Sequence, residues 1–135
     1  MNRIVHLVEV AAYVTDLDRA EAFYRDVLGL EPIGTEPGRH AFFRVGSSVL
    51  LLFLAAETLR GTALPSHGAT GPGHFALGIA AEDFDAWRER LRQHGVDVER
   101  EVRWDRGGRS LYFRDPDGNS VELVTPGLWG LPSGW

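Results

Sequence analysis

Residues 9–30 read EVAAYVTDLDRAEAFYRDVLGL, and residues 74–96 read HFALGIAAEDFDAWRERLRQHGV. The second stretch repeats the first. Val14 aligns with Ile79 and Asp18 with Asp83, both at an offset of 65, and Gly29 aligns with Gly95 at 66. Internal self-similarity of this kind decides the architecture before any other signal. Each stretch reads as an alternating strand, an acidic turn, an amphipathic helix and a terminating glycine. Thr15 or Asp16 can cap the first helix, and the acids of Ala81 to Asp83 suit the start of the second. Ala20, Phe23, Tyr24, Val27 and Leu28 form one apolar stripe; Phe84, Trp87, Leu91 and the stem of Arg88 form the other. Gly29 and Gly95 suit a left-handed C-cap.

The second half of each unit also recurs. AFFRVGSSVLLLF (41–53) matches SLYFRDPDGNSVELV (110–124), with two extra residues assigned to the second turn. Both read as hairpins turning through Gly with Asn or Ser. Each unit is therefore β-α-β-β-β, with a weak extra strand near 31–34 or 96–102. The predicted fold is α+β: two βαβββ modules, residues 4–54 and 73–126, joined by linker 55–72. Neither half has much apolar surface of its own, which predicts one domain over residues 1–135.

Composition narrows the function. The chain has 135 residues, 44% apolar and 24% charged, ordinary values for a soluble globular protein. No apolar run approaches the roughly 18 residues of a membrane span. The N-terminus lacks a basic region followed by an apolar stretch, so the expected location is cytoplasmic. The absence of cysteine excludes disulfides and thiolate ligands. A net charge of −5 without a basic block argues against a nucleic-acid surface. A small molecule is the expected partner.

Strand alternation then singles out polar residues. In the first strand Val8, Val10, Ala12 and Val14 form the apolar face, leaving Glu9, Ala11 and Tyr13 on the other. In its repeat Phe75, Leu77 and Ile79 are apolar, leaving His74, Ala76 and Gly78. In the last strand Ser120, Glu122 and Val124 share a face, and the hairpin offset places Leu50 opposite Glu122 in the repeat. Equivalent positions thus hold Glu9, His74 and Glu122. A buried carboxylate without a partner is unfavourable, and two neighbouring carboxylates repel. A divalent cation relieves both, and three protein ligands leave coordination positions open.

The repeat, the DLDRAEAFYRDVLGL helix, the GPGH before a strand and the YFRDPDGNSVEL hairpin together resemble the vicinal oxygen chelate superfamily. That superfamily includes glyoxalase I, extradiol dioxygenases, fosfomycin-resistance transferases and bleomycin-resistance proteins. The resemblance covers about residues 4–128. It implies modules whose sheets curl around a shared cavity, in a homodimer. In metal-dependent members the ligands come from the first and last strands of each module, which here map to Glu9, Leu50, His74 and Glu122. His74 and Glu122 match that pattern. Glu9 stands where His or Gln is usual, and Leu50 cannot ligate. The set therefore resembles the three-ligand members, and differs from the two-His-one-carboxylate triad of ring-cleaving iron enzymes.

The resemblance implies a metal-dependent isomerase, lyase or dioxygenase acting on a small substrate through vicinal oxygens. The cofactor would be Zn, Ni, Fe, Mn or Co, with Glu122 or Glu9 able to shuttle a proton. The rival reading is a metal-free drug-binding protein of the bleomycin-resistance type. His67, in a glycine-rich loop suited to a lid, and His40, at the start of a strand, are candidate substrate contacts. Arg109, Tyr112 and Trp104, near the second hairpin, are the others. His6 has the opposite parity to Glu9 and reads as a surface histidine. Asp115 to Asn119 carry turn chemistry, not catalysis. Leu128 and Trp129 in the Gly/Pro/Trp-rich tail are expected to cover an apolar edge or a subunit interface.

Overall fold

The computed structural model describes residues 2–135. The protein is α+β and consists of two compact units, the first ending at Gly71 and the second running from Pro72 to Trp135. The first contains β1 (Glu9–Val14), α1 (Leu17–Ala22) with a π-helical continuation (Phe23–Val27), β2 (Glu31–Glu36), β3 (His40–Val45), β4 (Ser48–Leu54) and α2 (Ala55–Leu59). The second contains β5 (His74–Gly78), a 3-10 turn (Ala81–Asp83), α3 (Phe84–Gln93), β6 (Arg100–Arg103), β7 (Arg109–Arg114) and β8 (Ser120–Val124).

Each unit builds one open four-stranded sheet, ordered β1-β4-β3-β2 in the first and β5-β8-β7-β6 in the second. In both, the first strand runs parallel to the last and the remaining pairs are antiparallel. The two halves of the sequence thus share one topology. Both weak strands, β2 and β6, form.

Local chemistry explains the boundaries. Asp16, rather than Thr15, caps α1, its carboxylate accepting from the Arg19 amide at 3.0 Å. Gly29 and Gly95 end the helical segments at φ 69° and 70°, where a Cβ would be strained. The predicted stripe of Ala20, Phe23, Tyr24, Val27 and Leu28 is buried throughout. Tyr24 packs near Phe43 of β3, ring centroids 6.1 Å apart, in a core that includes Leu50 and Leu52. In the second unit Phe84 and Leu91 of α3 are buried, as are Leu111, Phe113, Val121 and Leu123. Each such side chain stabilises the fold by roughly 1.5–3 kcal/mol.

The strand pairing corrects one sequence expectation. Ala76 lies opposite Glu122, and the repeat-equivalent Ala11 lies opposite Leu51. The position matching Glu122 is therefore Leu51, not Leu50. Arg44 pairs with Val49 across four intervening residues, and Arg114 with Ser120 across five, so the second turn is longer by one residue, not two. One residue of register reverses the face, and Leu50 points into the core at 1% exposure.

The DPDGN segment is a turn held by its first residue. Buried Asp115 accepts from the amides of Asp117 at 2.9 Å and Asn119 at 2.8 Å, and from the Asn119 side-chain amide at 2.9 Å. Asn119 in turn accepts from the Gly73 amide at 2.8 Å, tying the turn to the start of β5. Asp115→Ala strands two buried donors and is expected to lower unfolding free energy by about 2–3 kcal/mol, read by urea denaturation. Unchanged stability with lost activity would instead make Asp115 catalytic.

Candidate functional site

Parallel pairing of β5 with β8 puts His74, Ala76 and Gly78 on the same face as Ser120, Glu122 and Val124. Tyr112 of β7 lies directly opposite Glu122, so Ser110 and Tyr112 share that face too. Glu122 is buried, and the unit supplies its partners. The Ser110 hydroxyl donates to Glu122 Oε2 at 2.5 Å, and the Trp104 indole N–H donates to Ser110 Oγ at 2.8 Å. Tyr112 also hydrogen-bonds to Glu122; burial first, then the Glu122 charge, raise its phenol above the ordinary tyrosine range.

The other oxygen, Glu122 Oε1, faces His74 Nε2 at 3.5 Å. The opposite ring nitrogen, Nδ1, donates to the Ser120 carbonyl at 3.0 Å. That bond leaves Nε2 of the neutral imidazole with a lone pair directed to a carboxylate oxygen. Two acceptors facing each other at this spacing need a proton or a cation between them. Two ligand atoms about 2.0–2.1 Å from a tetrahedral ion stand about 3.4 Å apart, close to the observed separation. A carbonyl holding the second imidazole nitrogen is also the usual support of a metal-bound histidine. The donor set fits a divalent cation.

Glu9 occupies the corresponding first-strand position of the first unit and is solvent-exposed. Arg44 pairs with Glu31 at 3.1 Å and Arg114 with Glu99 at 2.8 Å, so neither neutralises Glu9. Within neither unit, among the described residues, do three His, Asp or Glu side chains converge. His6 is exposed, with Nε2 3.5 Å from Ser48 Oγ.

The first unit carries a cleft of about 740 Å³. Its lining includes Glu9 and Tyr13 of β1, His40 and Phe42 of β3, Phe53 of β4 and His67. His67 reaches it from the loop after α2, where its Nδ1 is 2.7 Å from the Tyr13 hydroxyl. His40 stacks on Phe42, centroids 4.0 Å apart. Burial first, then the neighbouring Arg39 charge, hold His40 below the usual histidine range, with Glu36 acting in the opposite sense. Both histidines predicted to contact substrate are therefore cleft residues, and the loop does cover the sheet.

Arg109 is different. It shares a face with Leu111, not with Glu122. Its guanidinium lies 3.8 Å from the Phe84 ring centroid and 3.0 Å from Glu101. The structure engages it in packing α3 onto the sheet, away from the Glu122 face. The sequence reading also missed Trp135. A Cβ at Gly78 would stand 2.5 to 2.7 Å from the Trp135 ring, so the ring covers the space above β5. The tail folds back through glycines of positive φ, including Gly127 and Gly134, with the Gly127 amide donating to the Gly134 carbonyl at 2.8 Å. Trp129, expected to cover an apolar edge or a subunit interface, is 65% exposed in the single chain.

The fold has counterparts among known proteins. Residues 3–123 match the Glyoxalase/Bleomycin resistance protein/Dioxygenase superfamily, and the chain belongs to it. Its fold is similar to that of a lactoylglutathione lyase from Agrobacterium tumefaciens, with 44% identity and a TM-score of 0.90, over 96% of this chain and 99% of that one. It is 32% identical over 116 residues to the metallothiol transferase FosB of Shouchella clausii, covering 83% of this chain and 74% of the relative. A lactoylglutathione lyase of Arabidopsis thaliana is 33% identical over 133 residues, 93% of this chain and 45% of the plant protein.

Gly78→Ala is expected to expel the Trp135 ring, because the far end of a side chain yields before the strand backbone does. The measurement is tryptophan fluorescence: a red-shifted, more quenchable component is expected, absent when Trp135→Phe is combined with Gly78→Ala. An unshifted spectrum would contradict the packing.

Proposed function

We propose that the protein is a metal-dependent enzyme that binds a small substrate through vicinal oxygens at a divalent cation. His74 and Glu122 would hold the cation, and Glu9, its first-module counterpart, would complete a three-ligand set. Zn, Ni, Fe, Mn and Co all suit such a donor set. The observation that carries the reading is His74 Nε2 facing Glu122 Oε1 at 3.5 Å, with each side chain anchored from behind. Similarity to the two lactoylglutathione lyases and to a metallothiol transferase supports it.

The cation would supply Lewis-acid stabilisation of negative charge developing on a substrate oxygen. The chain's own residues do the rest. Ser110 and Trp104 fix the Glu122 carboxylate, so it serves as a stationary ligand. Tyr112 stays protonated at neutral pH and donates next to Glu122. Glu9, exposed and with no arginine partner among the described residues, is the carboxylate better suited to carry a proton. Leu51, at the fourth equivalent position, offers no ligand, which leaves that coordination position to substrate or water. An isomerase or lyase reaction fits this arrangement best, since proton transfer is the chemistry a mobile carboxylate adds.

The two modules would act as one domain over residues 1–135, in a cytoplasmic homodimer. The apolar segment containing Ile4, Val5, Leu7 and Val8, exposed at 94%, 78%, 76% and 60% in the single chain, supports self-association. The metal-free drug-binding alternative draws support from the aromatic cleft of the first unit, and it predicts stoichiometric binding without turnover.

Titration calorimetry of chelator-treated protein with Mn, Co, Ni and Zn tests the proposal. One site per chain is expected, lost in His74→Ala and Glu122→Gln and weakened in Glu9→Gln. Absence of a site, or affinity unchanged in His74→Ala and Glu122→Gln, would overturn it. Ser110→Ala removes a support behind a ligand and is expected to weaken metal binding by about 10–100-fold, measured in the same titration. An unaltered affinity would mean that the Ser110 bond serves folding alone.

A further inference from the structure

The cleft of the first unit has an internal order that suggests its ligand. Pairing aligns Ala11, Leu51 and Phe42 in one row across β1, β4 and β3, and Tyr13, Phe53 and His40 in the next. The first row is aliphatic except for Phe42. The second row is aromatic, and His67 adds its ring edge-on to Phe53, centroids 4.8 Å apart. Glu9 lies four residues before Tyr13, about 13 Å along the strand. The charged ends of the cleft are thus separated by an apolar floor.

Arg39 stands at the aromatic end. It is half-buried, and its Nη1 donates to His40 Nδ1 at 2.8 Å. Its guanidinium lies 5.7 Å from the Phe53 centroid. No carboxylate comes within ion-pair distance of it among the described residues. Glu36, exposed, approaches His40 Nδ1 at 3.7 Å instead. A guanidinium carries five N–H donors in a planar fork, and only one is engaged by His40. A half-buried, partly unsatisfied guanidinium over aromatic rings is a receptor for a planar anion. Because Nδ1 of His40 accepts from Arg39, its Nε2 carries the proton and is a further donor.

We propose that this cleft binds a small aryl carboxylate, its ring among Phe42, Phe53 and His67 and its carboxylate on Arg39. A monoanion fits better than a phosphate dianion, because Glu36 stands beside the site and the protein carries a net charge of −5. A cationic ligand is disfavoured at this end, because Arg39 repels it. The carboxylate then lies at the end remote from Glu9, so the opposite end of the ligand points to the proposed metal ligand. The site is built from the first unit alone and stands whether or not the metal reading does.

Calorimetry with cinnamate, cinnamamide and cinnamylamine on the full chain in EDTA tests this. Cinnamate is expected to bind one per chain, with amide shifts in the spectrum of labelled protein centred on Tyr13, Phe42, Phe53 and His67. Arg39→Gln should weaken cinnamate at least about tenfold and leave cinnamamide unaffected, while Arg39→Lys retains part of the affinity. Phe42→Ala should weaken both. Circular dichroism establishes that each variant is folded. The proposal is overturned if cinnamate fails to bind, if cinnamylamine binds more tightly, or if folded Arg39→Gln binds cinnamate as the parent does. A parent protein that binds cinnamate but no metal ion would overturn the metal reading and leave this one standing.

Discussion

The parallel pairing of the first and last strand in each module is the constraint on which the rest depends. Parallel neighbours keep the same parity, so His74 at the start of β5 and Glu122 in the middle of β8 emerge on one face. That placement buries a carboxylate in a sheet, which is unfavourable by several kcal/mol unless its oxygens are satisfied. The satisfaction comes from neighbouring strands. Ser110 reaches Oε2 from β7, Trp104 supports Ser110 from the turn before it, and Tyr112 sits directly opposite. His74 and its anchoring carbonyl at Ser120 complete the surroundings of Oε1.

The two modules share a topology and differ in what the common face presents. Where the second places Glu122, the first places Leu51. Where the second has Tyr112 beside a carboxylate, the first has Phe42 stacked on His40. One face therefore presents His74 and Glu122 with a polar network behind them, and the other an aromatic floor with a cation at its rim.

Much of this was legible in the residues. The stripe from Ala20 to Leu28, the glycine caps and the DPDGN turn all act locally, within a few residues of each other. They were read correctly for that reason. Glu122 and His74 were legible because strand parity needs only counting. The single error of counting, Leu50 for Leu51, arose in the turn, where two loops of different length meet one register and a gap of one or two residues looks alike in sequence. Alternation sends Arg109 to Phe84, while its neighbours in the chain, Trp104 and Tyr112, stand with the Glu122 face. Trp135 was invisible because nothing in a Gly/Pro-rich tail specifies which strand it returns to.

The sequence by itself determined the modules, their helices and turns, and the placing of His74 and Glu122 on one face of the second unit. These follow from periodicity, composition and parity, which are properties of neighbours along the chain. Tertiary structure decided the approach of His74 Nε2 to Glu122, the support by Ser110 and Trp104, the closure of Gly78 by Trp135 and the partly unsatisfied guanidinium at the aromatic cleft. Those are matters of hydrogen-bond direction and distance between residues far apart in the chain, and only the folded backbone sets them.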